Sequence, residues 1–125
     1  MADVVDYGGT VQKNGLNLLQ GPGNDIVAVT NLMASGAHIV LLTTGRGTPL
    51  GAPVPTVKIS SNSKLATNKA GWIDFDAGIL LENTDMESLA EEFFRYILAV
   101  ASDERTRNEI NGYREISIFK DGVTL

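Results

Sequence analysis

Apolar residues in the first third of the chain alternate between strand-like and helix-like spacing. Residues 16–19 are a short apolar patch that predicts a strand, and residues 20–23 predict a turn because they hold one proline and two glycines. Asn24 or Asp25 can cap a helix, which ends at Ser35 and Gly36, where glycine adopts a positive φ without strain. The apolar positions on one face of this helix are Ile26, Val29, Leu32 and Met33.

The middle of the chain predicts further strands separated by a loop. Residues 38–42 form an almost unbroken apolar run, which is typical of a strand buried on both faces by helices. A loop rich in glycine and proline follows over residues 43–55, and residues 57–59 resume a strand. Residues 72–76 alternate apolar and acidic side chains, so they predict a short edge strand.

The last third predicts one long helix and a final strand. Thr84 and Glu87 have the spacing of a capping box, and Glu91 can pair with Arg95 four residues later. The expected buried face of this helix consists of Met86, Leu89, Ala90, Phe93, Ile97 and Ala101. Beyond it, Asn111 and Gly112 predict a turn, and residues 115–119 predict a strand.

This order of elements predicts an α/β fold. We expect residues 1–125 to form a single domain, a small three-layer, Rossmann-like arrangement with a mostly parallel sheet. The chain is 43% hydrophobic and 20% charged, which is the composition of a globular domain that can bury a core. The abrupt start at Met1 also fits a domain taken from a longer polypeptide.

Composition excludes several functional classes. The chain has no cysteine, so it cannot form a disulfide or hold an iron–sulfur cluster through thiolates, and this is compatible with a reducing cytoplasm. No apolar run approaches the ~20 residues that span a bilayer, so no membrane association is predicted. A net charge of −5 without a basic block argues against nucleic-acid binding.

The strongest candidate binding element is the arginine loop, our name for residues 43–48. The glycines at 45 and 47 let a ligand approach the backbone closely and expose N–H groups that can donate to it. Arg46 can hold a carboxylate through two parallel hydrogen bonds. The loop matches no phosphate-binding glycine motif. The alternative is a tight turn whose arginine pairs with a surface acid. The candidate substrate-binding residues here are Thr43, Thr44, Gly45, Arg46, Gly47 and Thr48.

Other polar residues are weaker candidates. The helix N-terminus at residues 24 and 25 can favour an anion, although ordinary capping by Asp25 is the expected role of this region; Asn24 stays free to face a ligand. Asp74 and Asp76 lie on one face of an extended segment and are candidate metal ligands or, alternatively, the solvated face of an edge strand. Glu109 is a candidate general base in a polar turn. Lys58 lies on an apolar strand, so it must either face solvent or meet an acid partner.

His38 is the only histidine, and it lies at the start of the predicted buried strand. The arginine loop follows the other end of that strand. We therefore interpret His38 as a structural residue rather than as a base or a ligand.

Several of these segments, taken in order, resemble the C-terminal part of the altronate dehydratase and galactarate dehydratase family of sugar-acid hydro-lyases. They cover nearly the whole chain, and the block at 43–49 is fairly specific; the matching segments are GPGND (21–25), AHIVL (37–41), TTGRGTP (43–49), PTVKIS (55–60), DFDAG (74–78), NEINGYRE (108–115) and FKDGVTL (119–125).

The resemblance implies that this chain is the C-terminal fragment of a longer, cytoplasmic, multidomain enzyme. Such enzymes remove water from altronate or galactarate to give a 2-keto-3-deoxy acid and depend on a divalent metal such as iron. The arginine loop would bind the substrate carboxylate, while most metal ligands would come from regions absent here. The implied partners are the sugar acid, the remaining domains and, in some cases, further copies of the enzyme.

Two alternatives to this interpretation stay open. The domain can be a non-catalytic packing or dimerisation module of that enzyme, or a free-standing module that binds anions or nucleotides. If the chain is part of a dehydratase, whether as a substrate-binding or as a packing domain, the isolated fragment is expected to be inactive.

Overall fold

Two small parallel sheets organise the chain in the computed structural model, which describes residues 1–82 and 84–118. The elements in chain order are β1 (Asp3–Val5), β2 (Asn17–Leu19), α1 (Asp25–Ala34), β3 (Val40–Thr44), β4 (Thr56–Ser60), α2 (Ser63–Asn68), β5 (Phe75–Asp76), a 3-10 helix (Ala77–Leu81), α3 (Met86–Ala101) and α4 (Arg107–Asn111).

Strands β1 and β2 pair in parallel, and β3, β4 and β5 form a second parallel sheet with β4 at its centre. The register of this second sheet places Thr44 beside Ser60 and Ser60 beside Asp76. Because parallel strands end at the same edge, these three residues form one row at the carboxyl edge of the sheet. The predicted α/β class and parallel pairing are confirmed.

Helices cover the two faces of the β3–β4–β5 sheet. On one face, Val29 of α1 packs with Val40 and Leu42 of β3. On the other face, the ring centroids of Phe93 of α3 and Phe75 of β5 lie 4.8 Å apart, with the rings tilted relative to each other. Since successive strand residues point to opposite faces, the sheet lies between the two helices as the middle of three layers.

The expectation that residues 38–42 form a strand buried on both faces was wrong in two respects. The strand begins at Val40, two residues later than expected, and its burial alternates along its length. Leu41 is 49% exposed, because β3 is the edge strand and α3 packs against β4 and β5. Exposed His38 precedes β3, at the end opposite the arginine loop, as the sequence predicted.

The N-terminal helix follows the prediction, and the long helix departs from it at its start. Asn24 is the N-cap of α1, and Gly36 has a φ of +114° just beyond its end. Helix α3 is capped by Asp85, whose carboxylate accepts from the Ser88 N–H at 2.9 Å. The predicted Thr84 capping box was therefore wrong by one residue, because the aspartate is the stronger capping acceptor. The Glu91–Arg95 ion pair is confirmed.

Two short α-helices, the 3-10 helix and strand β1 were not predicted. Helix α2 begins after Asn62, whose side chain accepts from the Leu65 N–H at 2.9 Å. Helix α4 carries its own capping box from Thr106 and Glu109, and Gly112, with a φ of +75°, ends it, so the predicted turn there is a helix terminus.

The predicted final strand over residues 115–119 was wrong for residues 115–118, which adopt no regular structure, and residue 119 lies outside the described part. The segment FKDGVTL (119–125) also lies outside it. Within the described ranges, no helix has both the length and the apolar character needed to cross a bilayer.

Candidate functional site

The arginine loop leaves the carboxyl end of β3, at the edge formed by Thr44, Ser60 and Asp76. Open α/β sheets bind ligands at this edge, because the loops that follow the strands converge there. The structure therefore brings Asp76 and the arginine loop to one end of the sheet. Their positions in the sequence alone did not require this.

Side chains from elsewhere in the fold hold the carbonyl groups of the loop. The Gly45 carbonyl accepts from Asn62 Nδ2 at 3.2 Å, and the Arg46 carbonyl accepts from Lys69 Nζ at 2.7 Å. The Thr48 carbonyl accepts from Lys58 Nζ at 3.2 Å. A loop with this many fixed backbone groups has lost much of its conformational freedom before a ligand arrives, which is what a preorganised site requires.

The hydroxyl groups of the loop partly satisfy its own amides. Thr44 Oγ1 accepts from Gly47 N–H at 2.9 Å, and Thr48 Oγ1 accepts from Leu50 N–H at 3.3 Å. The Gly47 amide is thus already bonded, contrary to the expectation that it would be a donor for a ligand. Gly47 instead contributes a φ of +77°, which side chains rarely adopt, so glycine is needed for the turn itself.

Arg46 projects from this fixed backbone as an exposed side chain. It forms no ion pair with any acid among residues 1–82 and 84–118, so the alternative of an arginine tied to a surface acid finds no support there. Lys69 adds a second positive charge beside it, because its Nζ bonds the Arg46 carbonyl and lies 4.8 Å from the Trp72 ring. Two cations at one sheet edge favour an anionic ligand.

Asn24 lies elsewhere, at the N-terminus of α1. Its side chain is exposed and forms no capping hydrogen bond, so the amide is not consumed by the helix. The expectation that Asp25 would be the cap was wrong, because Asp25 lies in the first turn of α1. Asn24 is the N-cap by its backbone geometry, while its side chain stays available.

The two candidate metal ligands, Asp74 and Asp76, already accept hydrogen bonds from backbone amides. Asp74 accepts from Lys58 N–H at 2.8 Å and from Arg107 N–H at 2.7 Å, and Asp76 accepts from Gly78 N–H at 2.8 Å. In the described part of the chain, no three histidine, cysteine, aspartate or glutamate side chains come together to hold a metal ion. Among residues 1–82 and 84–118, the structure therefore shows no cluster that would hold the metal implied by the resemblance.

Glu109, the candidate base, is bonded in the same way. Its carboxylate accepts from Thr106 N–H at 2.9 Å and from the Thr106 hydroxyl at 2.8 Å, which closes the first turn of α4. This is the geometry of a capping residue. A role as general base stays a prediction.

Lys58 is the residue whose placement the pattern left most open. Its side chain is 0% exposed, so it does not face solvent, and its Nζ donates to the carbonyls of Thr48 and Leu50. Burial lowers the pKa of Lys58, and the charges of Asp74 and Glu115 oppose that effect. Asp74 and Glu115 thus act on Lys58 at a distance, while the Thr48 and Leu50 carbonyls accept its hydrogen bonds.

Three residues around the loop were missed by sequence reasoning as parts of the site: Lys58 as an anchor, Asn62 and Lys69. Asn62 and Lys69 flank the short helix α2, which no strong periodicity indicated. The one signal in the sequence for Asn62 was its position, because it is a polar residue between the end of a strand and the start of a helix. Nothing in the sequence linked Lys69 to Arg46, 23 positions earlier.

These features define a class of protein: a small three-layer α/β domain with a fixed, cationic loop at the carboxyl edge of its sheet. The family model for the C-terminal domain of D-galactarate/altronate dehydratase matches residues 1–124. The chain belongs to this family, and the resemblance inferred from the sequence is confirmed.

Individual relatives agree with this assignment. The chain is 53% identical to the altronate dehydratase of Escherichia coli over 125 residues and 48% identical to that of Bacillus subtilis over 126 residues. Both alignments cover the whole chain and 25% of the relative. The galactarate dehydratase (L-threo-forming) of Escherichia coli is 33% identical over 107 residues, which is 84% of this chain and 20% of that protein. The chain thus spans about a quarter of the length of the altronate dehydratases it matches.

Proposed function

We propose that this chain is the substrate-carboxylate-binding domain of a sugar-acid hydro-lyase that converts altronate to a 2-keto-3-deoxy acid. The observation that carries the proposal is Arg46, an exposed arginine without an acid partner in the described ranges, on a loop whose backbone is held by three other side chains. Altronate is preferred to galactarate because the two altronate dehydratases are the more similar relatives.

The chemistry of dehydration supports a carboxylate site at this place. Removing a proton from the carbon beside a carboxylate places negative charge on the carboxylate oxygens in the transition state. A guanidinium group holds both oxygens in a fixed plane through two hydrogen bonds. Arg46 would therefore orient the substrate and stabilise the developing charge, with Lys69 adding to the positive potential. The hydroxyl groups of Thr43, Thr44 and Thr48 would contact the hydroxyl groups of the sugar acid.

The remaining groups would come from other domains of the same polypeptide. A divalent metal, which the resemblance implies, would assist the departure of the hydroxide. Asp74, Asp76 and Glu109 are bonded within this domain, so we propose that the metal ligands and the general base lie mainly outside it. Asn24 would join the substrate site only if another domain brings the sugar acid to the N-terminus of α1.

Substitution of Arg46 tests the proposal. In the dehydratase polypeptide that carries this domain, Arg46→Ala should lower kcat/KM by more than tenfold, which corresponds to ~1.4 kcal/mol or more of lost transition-state binding. The fold should be unaffected, because Arg46 is exposed. Arg105→Ala, which removes another exposed arginine, is the matched control and should leave kcat/KM unchanged. Near-normal kinetics for Arg46→Ala would refute the assignment of the loop.

A second candidate function, a packing domain of the same enzyme, is favoured by the surface of α3. Phe94 is 61% exposed and Leu98 is 50% exposed, and their spacing of four residues places them side by side on the helix. We propose that another part of the dehydratase polypeptide covers them, since the relatives are about four times as long as this chain. This function is compatible with the first, because one face can pack while the sheet edge binds substrate.

A further inference from the structure

A buried ammonium group lies directly beneath the arginine loop. Lys58 stands in β4, at the centre of the sheet, and its Nζ donates to the Thr48 carbonyl at 3.2 Å and to the Leu50 carbonyl at 2.9 Å. These two carbonyls flank Pro49. One side chain from the rigid centre of the sheet thus holds the segment that continues the arginine loop.

The next residue of that segment is held from a different direction. Gly51 N–H donates to the Glu115 carboxylate at 3.0 Å, and Glu115 N–H donates to the Gly51 carbonyl at 2.7 Å. The segment from Thr48 to Gly51 is therefore fixed at the Thr48 and Leu50 carbonyls by the Lys58 ammonium group and at the Gly51 amide by the Glu115 carboxylate.

A lysine is an expensive residue for this position. Burying an ammonium group costs free energy, and that desolvation is the largest influence on the pKa of Lys58. An apolar side chain of similar length would fill the same volume without this penalty. What an apolar side chain could not do is donate hydrogen bonds to the Thr48 and Leu50 carbonyls, so these bonds are the feature that distinguishes lysine here.

We propose that Lys58 is a positioning residue for the arginine loop: its ammonium group fixes the backbone from which Arg46 reaches the substrate carboxylate. The proposal rests on the proposed function of Arg46. Lys58 is fully buried, so it does not itself touch the substrate. It acts through the position of the loop, in which Thr48 lies two residues beyond Arg46.

Amide hydrogen exchange in the 125-residue chain tests the anchor directly. Lys58→Met removes the donors and keeps the length of the side chain, and Lys64→Met, at an exposed lysine of α2, is the control. In Lys58→Met, the amides of Leu50 and Gly51 should exchange at least tenfold faster. The amides of Val40 and Ser61, which bond the Pro55 and Thr44 carbonyls, should be unchanged.

A chemical rescue keeps the test valid if Lys58→Met folds poorly. The chain contains no cysteine, so Lys58→Cys introduces a unique thiol. Alkylation of the unfolded variant with 2-bromoethylamine converts it to thialysine, which restores the ammonium group before refolding. Slow exchange at Leu50 and Gly51 should return. Alkylation with iodoacetamide, which adds no ammonium group, should not restore it.

A double-mutant cycle in the dehydratase polypeptide tests the link to function. Lys58→Met should lower kcat/KM at least tenfold, and Lys58→Met combined with Arg46→Ala should be no worse than Arg46→Ala alone, because both act on one contact. Additive losses of kcat/KM in the double variant would overturn the positioning role. The same conclusion would follow if amide exchange at Val40 and Ser61 became faster by the same factor as exchange at Leu50 and Gly51. If Arg46→Ala keeps normal kinetics while the exchange result holds, the proposed function fails and the anchor stands.

Discussion

At the scale of single residues, Asp74 joins three parts of the fold through one carboxylate. It bonds the backbone amides of Lys58 in β4 and Arg107 in α4, and its charge acts on Tyr96 of α3. Burial raises the pKa of Asp74, and the two amide bonds and the nearby charges of Lys58 and Arg107 only partly oppose it. Burial, with the Asp74 charge adding to it, also raises the pKa of the Tyr96 hydroxyl. The aspartate is therefore a structural junction.

We expect Asp74→Asn to lower the free energy of unfolding by about 1–3 kcal/mol, because one of the two backbone amides that donate to Asp74 then faces an NH₂ group instead of an acceptor. Urea unfolding followed by Trp72 fluorescence measures this. Asp76→Asn is the control and should have a smaller effect, since the asparagine oxygen can still accept from Gly78. An equal loss in both variants would contradict the role of Asp74 as a double acceptor.

The pH dependence of the same variant has a definite sign. The folded state holds a proton on Asp74 more readily than the unfolded state, whose pKa is near 3.8. Stability from this group is therefore present at low pH and is lost as pH rises through the folded pKa. The stability advantage of the unaltered chain over Asp74→Asn should grow between pH 7 and pH 4. A constant difference over that range would show that burial does not raise this pKa.

At the scale of elements, caps decide where the helices begin. The sequence pattern predicted the existence of α1 and α3 because each has a periodic apolar face, whereas α2 and α4 are too short to show one. The expected buried face of α3 was wrong in part, because Met86, Ala90 and Ala101 are exposed. Their N-caps, Asn62 and Thr106, are stabilised by side-chain bonds that are local in sequence. Such bonds also occur in turns, so the pattern around Asn111 indicated a turn equally well.

Glu109 illustrates how a cap and a base can be told apart. Glu109→Gln should keep the stability of the chain, because a glutamine oxygen accepts the same bond from Thr106 N–H. Glu109→Ala should lower the free energy of unfolding by about 1 kcal/mol. In the dehydratase polypeptide, Glu109→Gln should retain kcat if Glu109 acts only as a cap. A loss of 100-fold or more in that variant would identify it as the general base instead.

The site was predictable only where its chemistry is local. The arginine loop follows a strand and carries glycine, arginine and threonine, so its position at the sheet edge followed from the sequence. The groups that hold it come from distant positions, such as Lys69 on the Arg46 carbonyl. Burial was also hard to predict: Leu41, which was expected to be buried, is half exposed, and Lys58, whose placement the pattern left open, is fully buried. Those outcomes depend on which strand lies at the edge.

At the scale of the whole molecule, one face of α3 packs against the core of the domain and a neighbouring stripe of apolar side chains is exposed. Leu89 is 3% exposed, and together with Phe93 it packs toward Ile59 and Phe75, where a cavity of about 250 Å³ remains. The neighbouring stripe, with Phe94 and Leu98, points away from this core and is exposed. A helix with apolar side chains beyond its core-facing stripe is typical of an interface between domains.

Substitutions on the two faces of α3 should therefore separate folding from domain packing. Phe94→Ser combined with Leu98→Ser should change the urea midpoint of the 125-residue chain little, because both side chains are already exposed in it. Leu89→Ala is the contrasting variant and should lose about 2–5 kcal/mol. In the dehydratase polypeptide, the double substitution should lower the thermal midpoint and speed proteolysis between domains, because it removes a covered apolar surface. If the double variant instead changes only the sedimentation of the isolated chain, a second copy covers this face. If it destabilises the isolated chain as much as Leu89→Ala, the stripe belongs to the core of this domain and carries no interface.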